Sequence, residues 1–590
     1  MKKTILSGNE AIARGAYEAG VRVASAYPGT PSTEILENIT RYKEIDASWA
    51  PNEKVALEVA IGASFGGARA LATMKHVGLN VAADPLFTLS YIGVRGGLVL
   101  VVADDPEMHS SQNEQDSRNY AKFAKVPMLE PADSDEARLF TRLGFEISEQ
   151  FDTPVLLRST TRLSHGKSVV NLDEPVSGLP EPSLERNPGK LVMLPSNARV
   201  RHPIVEQRIL DLEEWACSQG FNRVEAGDKS VGVIASGVAY QYAKEVFPEA
   251  RVLKLGMVYP LPKQLIRDFA ASVDKLYVIE ELDPFIEEAV RCMGIEVIGK
   301  DVLPICGELT PERIESAISG KPVETAHKVD EVLPGRPPML CPGCGHRGVF
   351  HVLKQLGAFV TGDIGCYTLA ALPPLSAMDS CVCMGAGIST ATGVAKVLPE
   401  TERQKVVGVM GDSTFLHTGI NSLMDLVYNK STATVVILDN AATGMTGRQD
   451  NPATGYTLQG NEAPNVDLET LCKALGVKHV RTIDPNDLAL TRATLQEMMA
   501  IPEPSVVIAR RVCMLERHGN AQRTSPLVVL EDKCVGCRAC QKICCPAISW
   551  RKGTGKNGKG QAVVDALLCT GCGVCEQVCK FNAYGVIDGE

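Results

Sequence analysis

The chain has 590 residues, and its formal net charge is −10 at neutral pH. This length predicts about three to five domains. Hydrophobic residues make up 45% and charged residues 22% of the chain, which is typical of a globular protein and excludes an overall basic nucleic-acid-binding surface. The N-terminus lacks the pattern of a signal peptide, and no apolar run reaches the roughly 18 residues of a bilayer span. We therefore expect a cytoplasmic protein that binds neither nucleic acid nor membrane.

Short apolar runs alternate with amphipathic helical stretches through residues 1–165. The segments are the apolar runs 21–26, 98–103 and 155–158 and the helical stretches 9–20 and 53–70. Because parallel strands need a crossover between them, usually a helix, the alternation predicts a parallel sheet covered by helices.

The remaining chain divides by composition. Residues 166–200 are rich in Pro, Ser and Gly and predict a linker. Strand candidates within 201–320 predict a small α/β domain, and a Pro-containing stretch at 321–338 predicts a second linker. A third α/β block follows at 339–525, and residues 526–590 form a cysteine-rich segment.

Two cysteine runs in the last segment have the spacing of metal-cluster ligands. They are Cys534-x2-Cys537-x2-Cys540 followed by Cys544-Cys545-Pro546, and Cys569-x2-Cys572-x2-Cys575-x3-Cys579. Three cysteines at successive two-residue gaps, with a fourth close behind, favour two iron–sulfur clusters. Structural zinc, which also uses paired Cys-x2-Cys spacings, is the alternative. The runs predict electron transfer as a function.

These runs resemble the bacterial two-cluster ferredoxin, in which the last cysteine of each run crosses to the other cluster. The resemblance assigns one cluster to Cys534, Cys537, Cys540 and Cys579. It assigns the second to Cys569, Cys572, Cys575 and one of the pair Cys544 and Cys545. The family places its fourth cysteine directly before Pro, which favours Cys545, and Cys544 is the competing ligand.

Two strand candidates of the third α/β block end in polar residues. The strand 405–410 runs into Gly411-Asp412-Ser413, and the strand 434–438 runs into Asp439-Asn440, 28 residues after Asp412. The pattern resembles the thiamine diphosphate motif, although Ser413 replaces the usual third Gly. The resemblance implies that Asp412, Asn440 and the carbonyl of Ala442 bind Mg²⁺, which prefers hard oxygen ligands. A Gly-Asp turn after a strand also occurs for purely structural reasons.

The first block carries a second resemblance. Residues 27–32, Tyr-Pro-Gly-Thr-Pro-Ser, and Asn52-Glu53 followed by 60–63 resemble the pyrimidine-binding domain of the 2-oxoacid:ferredoxin oxidoreductases. By position, Glu53 matches the acid that hydrogen-bonds the aminopyrimidine, and Thr30 matches a residue that faces the substrate. Alternatively, Glu53 is a helix N-terminal acid stabilised by the dipole. Glu58 is the less favoured alternative carboxylate.

Nearly the whole chain is similar to the large subunits of the indolepyruvate:ferredoxin oxidoreductases. The resemblance implies thiamine-diphosphate-binding doubly wound α/β folds, a small α/β middle domain and a C-terminal α+β two-cluster ferredoxin domain. It implies thiamine diphosphate, Mg²⁺ and two [4Fe–4S] clusters as cofactors. It also implies a small second subunit, hence a hetero-oligomer of two subunit types, with ferredoxin, a 2-oxoacid and coenzyme A as partners.

The implied reaction is oxidative decarboxylation of a 2-oxoacid to acyl-CoA and CO₂, with electrons passing to ferredoxin. Aryl pyruvates such as indolepyruvate are favoured over a pyruvate-type substrate by the subunit organisation alone. A non-oxidative thiamine diphosphate decarboxylase and a pure electron-transfer subunit are the alternatives from other functional classes.

Three further features are left with two interpretations each. Gly385 and Gly387 either let backbone amides approach the diphosphate or permit tight helix packing. Four cysteines resemble the ligands of a third cluster in pyruvate:ferredoxin oxidoreductase, or are buried thiols; they are Cys341, Cys344, Cys366 and Cys513. A basic run without acidic residues is either a ferredoxin-docking rim or a solvated loop; its members are Lys533, Arg538, Lys542, Arg551, Lys552, Lys556 and Lys559.

Overall fold

The computed structural model of the chain describes residues 2–323, 331–332, 335 and 337–586. It divides into two compact units, Met1–Asp330 and Glu331–Glu590. Of the predicted linker at 321–338, residues 324–330, 333–334 and 336 lie outside the described residues. No helix in the described part of the chain is both long and apolar enough to cross a bilayer.

The first unit is built on a seven-stranded sheet. In spatial order its strands are Met257–Tyr259, Met128–Leu129, Val155–Thr160, Leu98–Asp104, Ala70–Lys75, Val23–Ala26 and Asp46–Trp49. All neighbours are parallel except the first pair. The three central strands are buried along their whole length, which explains why they are almost continuously apolar rather than alternating.

Helices cover this sheet. They are Gly8–Glu18, Thr33–Ile39, Glu53–Phe65, His76–Val81, Ala83–Ile92, the 3₁₀ turn Pro106–Met108, Arg118–Ala124, Ser134–Phe151 and Thr161–His165. The two longest, Glu53–Phe65 and Ser134–Phe151, begin at side-chain caps: Asn52 accepts from the Val55 amide at 2.9 Å, and Asp133 accepts from the Glu136 amide at 2.9 Å.

A second, four-stranded sheet completes the first unit. Its strands, in order, are Leu276–Ile279, Asp228–Ser236, Ala250–Leu255 and Arg223–Glu225. The associated helices are Pro188–Leu191, Pro195–Ala216, Gly237–Val246, Lys263–Ala270, Phe285–Cys292 and Pro311–Ser319.

The segment 166–200, predicted to be a linker, contains regular structure. Its strand Lys167–Leu172 pairs antiparallel with the N-terminal strand Lys2–Ser7, and Pro188 and Pro195 each open a helix. Proline is well tolerated at the first helical position, so the prolines that suggested a linker instead mark helix starts.

The second unit contains a six-stranded parallel sheet. In order, its strands are Ser380–Cys381, Phe359–Gly362, Val406–Gly411, Thr434–Asp439, Ser505–Arg510 and His479–Ile483. Its helical segments are His346–Leu356, Cys366–Ala371, Ala386–Val397, Glu400–Arg403, Asp412–Thr414, the π-helical turn Phe415–Gly419, Ile420–Tyr428, Leu468–Ala474 and Leu488–Met499.

The cysteine-rich end of the second unit has two antiparallel ribbons. Leu527–Val529 pairs with Tyr584–Val586, and Ile548–Arg551 pairs with Gln561–Val564. The helical turns Ala539–Ile543 and Val574–Gln577 complete it. Gln577 joins this end to the sheet domain, because its side chain accepts from the Leu488 amide at 2.9 Å and donates to the Asn486 carbonyl at 2.8 Å.

Candidate active site and cluster sites

Three oxygen atoms converge where two neighbouring strands of the second unit end. Gly411 pairs with Leu438 in the parallel register, so Asp412 and Asn440 leave the same edge of the sheet. The side-chain oxygen of Asn440 lies 2.9 Å from Asp412 Oδ1 and 3.0 Å from the Ala442 carbonyl oxygen. In this orientation of the Asn440 amide all three atoms are hydrogen-bond acceptors, so they form no hydrogen bonds with one another, although the Ala442 backbone amide donates to the Asp412 carboxylate. We call Asp412, Asn440 and Ala442 the oxygen cluster.

The oxygen cluster has the dimensions of an Mg²⁺ site. Octahedral Mg²⁺–oxygen bonds of about 2.0–2.1 Å place adjacent ligand oxygens about 2.8–3.0 Å apart, which matches both separations. The alternative to a cation is rotation of the Asn440 amide, which would let its nitrogen donate to both neighbours. The donor set therefore fits Mg²⁺, whose other positions phosphate and water would fill.

Asp412 is buried at this edge. Burial, together with the nearby carboxylate of Asp439, raises the pKa of Asp412 to about 7. Asp439 has its own cationic partner, Arg510, at 2.7 Å. In the described part of the chain Asp412 has no such partner and accepts a 3.4 Å bond from the Asn451 amide. A cation in the oxygen cluster would offset the cost of burying this carboxylate.

Ser413 stands where the motif usually has Gly. Its hydroxyl accepts a 2.9 Å hydrogen bond from Thr443, on the loop that carries Asn440 and Ala442. The departure from the motif thus adds a connection between the two loops of the oxygen cluster.

A second buried carboxylate, Asp363, follows the strand Phe359–Gly362. Its oxygens accept from the amides of Ile364 at 2.8 Å, Gly385 at 2.9 Å and Gly387 at 2.8 Å. Both glycine amides donate to Asp363, so this geometry favours the packing interpretation of Gly385 and Gly387 over amides that face a diphosphate. Glycine is required for packing: at Gly385, with φ of 92°, a Cβ would lie 1.7 Å from Thr418 Oγ1.

In the first unit, Glu53 and Thr30 both lie at the carboxyl edge of the seven-stranded sheet. Glu53 is buried in the first turn of the helix Glu53–Phe65, and a Cβ on Gly78 would lie 2.6 Å from its Cγ. The Thr30 carbonyl accepts a 3.2 Å bond from Ser110. By contrast, Glu58 is 44% exposed and pairs with Lys54. Burial therefore favours Glu53 over Glu58 as a cofactor-facing acid.

Two cavities in the cysteine-rich end are lined by cysteines in the crossed pattern of a two-cluster ferredoxin. Cys534, Cys537, Cys540 and Cys579 line the first cavity. Cys545, Cys569, Cys572 and Cys575 line the second. Cys544 does not line the second cavity and has a left-handed backbone, with φ of 57°. The geometry therefore favours Cys545 over Cys544.

The four remaining motif cysteines also gather. Burial, with smaller contributions from neighbouring thiols, raises the pKa of Cys344 to about 12 and that of Cys366 to about 11. The charge of Cys341 raises the pKa of each of the other three thiols, and the charge of Asp412 also raises that of Cys513. We call Cys341, Cys344, Cys366 and Cys513 the third cysteine group.

The third cysteine group lies between the oxygen cluster and the second cavity. The Cys513 amide donates to the Asn440 carbonyl at 2.9 Å, and Pro342 and Gly343 line the second cavity. The guanidinium of Arg347, which also lines this cavity, donates to carbonyls on both sides, those of Cys341 and Ile543 among them.

The basic run lies on the protein surface, and one of its residues lines the first cavity. All seven of its Lys and Arg residues are exposed, as is Cys537. Arg538 lines the cavity and stacks on the Trp550 ring, 4.5 Å from its centroid. We call the seven residues the basic rim.

Comparison with known proteins matches three regions of the chain. Family models match residues 14–211 (Pyruvate flavodoxin/ferredoxin oxidoreductase, thiamine diP-bdg), 363–509 (Thiamine pyrophosphate enzyme, C-terminal TPP binding domain) and 533–583 (4Fe-4S dicluster domain). Indolepyruvate oxidoreductase subunit IorA of Archaeoglobus fulgidus is 42% identical over 99% of this chain and 97% of its own. IorA of Thermococcus kodakarensis is 40% identical over the same shares. The chain belongs to the IorA family.

Membership of the IorA family confirms the predicted family and fold class and makes the chain part of a thiamine-diphosphate-dependent 2-oxoacid:ferredoxin oxidoreductase with a 4Fe–4S domain. Among solved structures, a 2-oxoglutarate:ferredoxin oxidoreductase from Magnetococcus marinus aligns with 54% of this chain and 65% of its own at 17% identity and a TM-score of 0.44. That likeness is too low to position residues, so the IorA-family sites described above rest on this chain's own geometry.

Sequence reasoning missed two residues of these sites. Asp363 follows a strand as Asp412 does, and this shared signal could have identified it. Arg347 carries no such signal, because its contacts at 543 and 544 are almost 200 residues away in sequence.

Proposed function

We propose that this chain, assembled with a small second subunit, oxidatively decarboxylates a 2-oxoacid, with aryl pyruvates such as indolepyruvate favoured. The proposal depends on the spatial order of the sites within the second unit. The third cysteine group lies between the oxygen cluster and the cysteine-lined cavities. The printed names of the relatives, indolepyruvate oxidoreductase subunit IorA, support the substrate and a partner subunit.

Each site residue has a proposed role in binding the cofactor or the substrate. Asp412, Asn440 and the Ala442 carbonyl would hold Mg²⁺ with the diphosphate of a cofactor. Glu53 would hydrogen-bond the pyrimidine ring of a bound cofactor. Thr30 would face the substrate. The bound cofactor supplies a cationic thiazolium, which accepts the electron pair that remains when CO₂ leaves.

Electron balance requires an exit for two electrons per turnover. One 2-oxoacid anion, one coenzyme A thiol and two oxidised ferredoxins give acyl-CoA, CO₂, two reduced ferredoxins and one proton. The two cavities would hold [4Fe–4S] clusters, and the third cysteine group would hold another. A third cluster at this position would shorten the electron path from the oxygen cluster to the second cavity.

The test is the purified complex of this chain with its small second subunit. We expect ferredoxin reduction with indolepyruvate and phenylpyruvate to exceed that with pyruvate and 2-oxoglutarate, and to require coenzyme A and the small subunit. Aldehyde release without ferredoxin reduction would instead indicate a non-oxidative decarboxylase. Full activity of this chain alone would overturn the two-subunit proposal.

Two measurements test the cofactors directly. Three [4Fe–4S] clusters predict about twelve iron atoms per chain, and two predict about eight. Asp412→Asn should abolish Mg²⁺-dependent retention of thiamine diphosphate. Asp425→Asn, at a residue that accepts an exposed hydrogen bond from Asn429, is the matched control and should retain it. Equal retention in both variants would place the Mg²⁺ elsewhere.

A further inference from the structure

Lys75 is a buried cation at the same sheet edge as Glu53 and Thr30. It ends the strand Ala70–Lys75, and its side chain is only 9% exposed. Its Cγ would lie 3.2 Å from a Cβ built on Gly29, so the lysine stem packs beside the turn that carries Thr30. The lysine side chain therefore lies next to the turn that carries the candidate substrate-facing residue.

The ammonium group has unused hydrogen-bonding capacity. It donates to the Ser110 carbonyl at 3.1 Å, and in the described part of the chain it forms no salt bridge. An ammonium has three donors, and a buried charge without an ionic partner is costly. Burial lowers the pKa of Lys75, and the charges of Asp105 and Glu53 oppose that effect.

Asp105, whose charge acts on Lys75, already accepts several hydrogen bonds from other residues. Its carboxylate accepts from the Ser110 amide at 2.8 Å, the Ser111 hydroxyl at 2.7 Å and the Thr161 hydroxyl at 2.6 Å. Because Ser110 also contacts the Thr30 carbonyl, Asp105 holds this loop over the site and leaves the Lys75 ammonium available.

The next residue, His76, is also a buried polar side chain with unused hydrogen-bonding atoms. It is buried, and neither of its ring nitrogens has a hydrogen-bond partner among the residues that the structure describes. Burial lowers its pKa to about 4, so the ring is neutral near pH 7. Two adjacent polar side chains with unused capacity at one sheet edge indicate a ligand that folding alone does not supply.

We propose that Lys75 binds the carboxylate of the 2-oxoacid through its ammonium group, beside Thr30. This inference rests on the proposed function and deepens it, since it assigns the residue that distinguishes an acid from a neutral ketone. A charge-assisted hydrogen bond of this kind contributes a factor of about 10 to 100 in affinity.

The test compares Lys75→Met and Lys75→Arg in the two-subunit complex loaded with thiamine diphosphate. Lys75→Met keeps the apolar stem and removes the charge. We expect the KM for indolepyruvate to rise about 10- to 100-fold in Lys75→Met and less in Lys75→Arg. Lys300→Met is the control, because Lys300 is also largely buried and donates to main-chain carbonyls, those of Glu280 and Pro304.

A binding measurement separates this inference from the activity. Calorimetry with indole-3-propionate and its neutral amide gives a carboxylate-to-amide affinity ratio within each protein, which remains informative if a variant is less stable. We expect a ratio of about 10 or more in the wild type and in Lys300→Met, and about 1 in Lys75→Met. An unchanged ratio and KM in Lys75→Met would overturn the inference. Failure of the wild type to oxidise any 2-oxoacid would overturn the proposed function instead.

Discussion

Arg347→Met should loosen the junction between the third cysteine group and the second cavity. The guanidinium is almost fully buried and donates to four carbonyls, those of Leu340 at 2.8 Å, Cys341 at 2.9 Å, Ile543 at 2.6 Å and Cys544. Methionine retains the apolar stem but supplies no donor. Leu340 and Ile543 are buried, so at least their two carbonyls would lose their partner without access to water.

The expected magnitude follows from these two carbonyls. A buried group left without a partner costs about 1–3 kcal/mol, so the pair costs about 2–6 kcal/mol. A unit of this size loses about 2–4 °C of melting temperature per kcal/mol. We therefore expect the second unit to melt about 10 °C lower. The positive charge of Arg347 acts on the thiol of Cys545. Because a nearby positive charge stabilises the reduced cluster, its removal should also lower the reduction potential of the second cluster.

The assay is differential scanning calorimetry of the cluster-loaded complex, with a redox titration followed by electron paramagnetic resonance. Arg403→Met is the matched control, because Arg403 donates to one carbonyl, that of Leu398, at 2.6 Å. It should melt within about 2 °C of the wild type. An Arg347→Met variant that melts as the wild type does and keeps its cluster potential would refute the reasoning.

Three further predictions address the second cluster, the basic rim and a buried acid. Cys545→Ser should remove about four iron atoms per chain while Cys544→Ser retains them, and the reverse would make Cys544 the ligand. Replacing three lysines of the basic rim by Glu should slow ferredoxin reduction at low salt and flatten its salt dependence, while the rate of reduction of a neutral dye stays unchanged. A wild-type rate of ferredoxin reduction at all salt concentrations would place docking elsewhere. The three lysines are Lys552, Lys556 and Lys559. Burial raises the pKa of Glu281 from 4.5 to about 7. The protonated side chain therefore contributes about 3 kcal/mol to the free energy of unfolding below pH 4.5, and this contribution is lost as pH rises towards 7. Glu281→Gln should flatten the melting temperature between pH 5 and 7, and an unchanged slope would contradict this.

Local sequence determined the features that depend on strand ends and short spacings. Asp412 and Asn440 could be paired from sequence because both follow buried strands, and neighbouring parallel strands end at one edge. The cysteine runs indicated two clusters because a few residues of chain fix the spacing of three ligands in each run. The crossing of the fourth cysteine of each run was implied by the resemblance to two-cluster ferredoxins and agrees with the lining of the two cavities. Apolar runs located the strands Leu98–Asp104, Val155–Thr160, Val406–Gly411 and Thr434–Asp439 to within a few residues, since strands buried on both faces are continuously apolar. The central strand Ala70–Lys75 was not among the predicted strands.

Other features were decided only by the tertiary structure. The prolines of 166–200 indicated a linker, yet the strand Lys167–Leu172 forms because the distant strand Lys2–Ser7 supplies its hydrogen-bond partners. Asp363 occupies the amides of Gly385 and Gly387, which lie over 20 residues away in sequence. That the Lys75 ammonium keeps unused donors follows only from the folded loop, in which Ser110 hydrogen-bonds to Asp105. Each of these depends on which groups meet across long chain separations, and that is set by packing rather than by local sequence pattern.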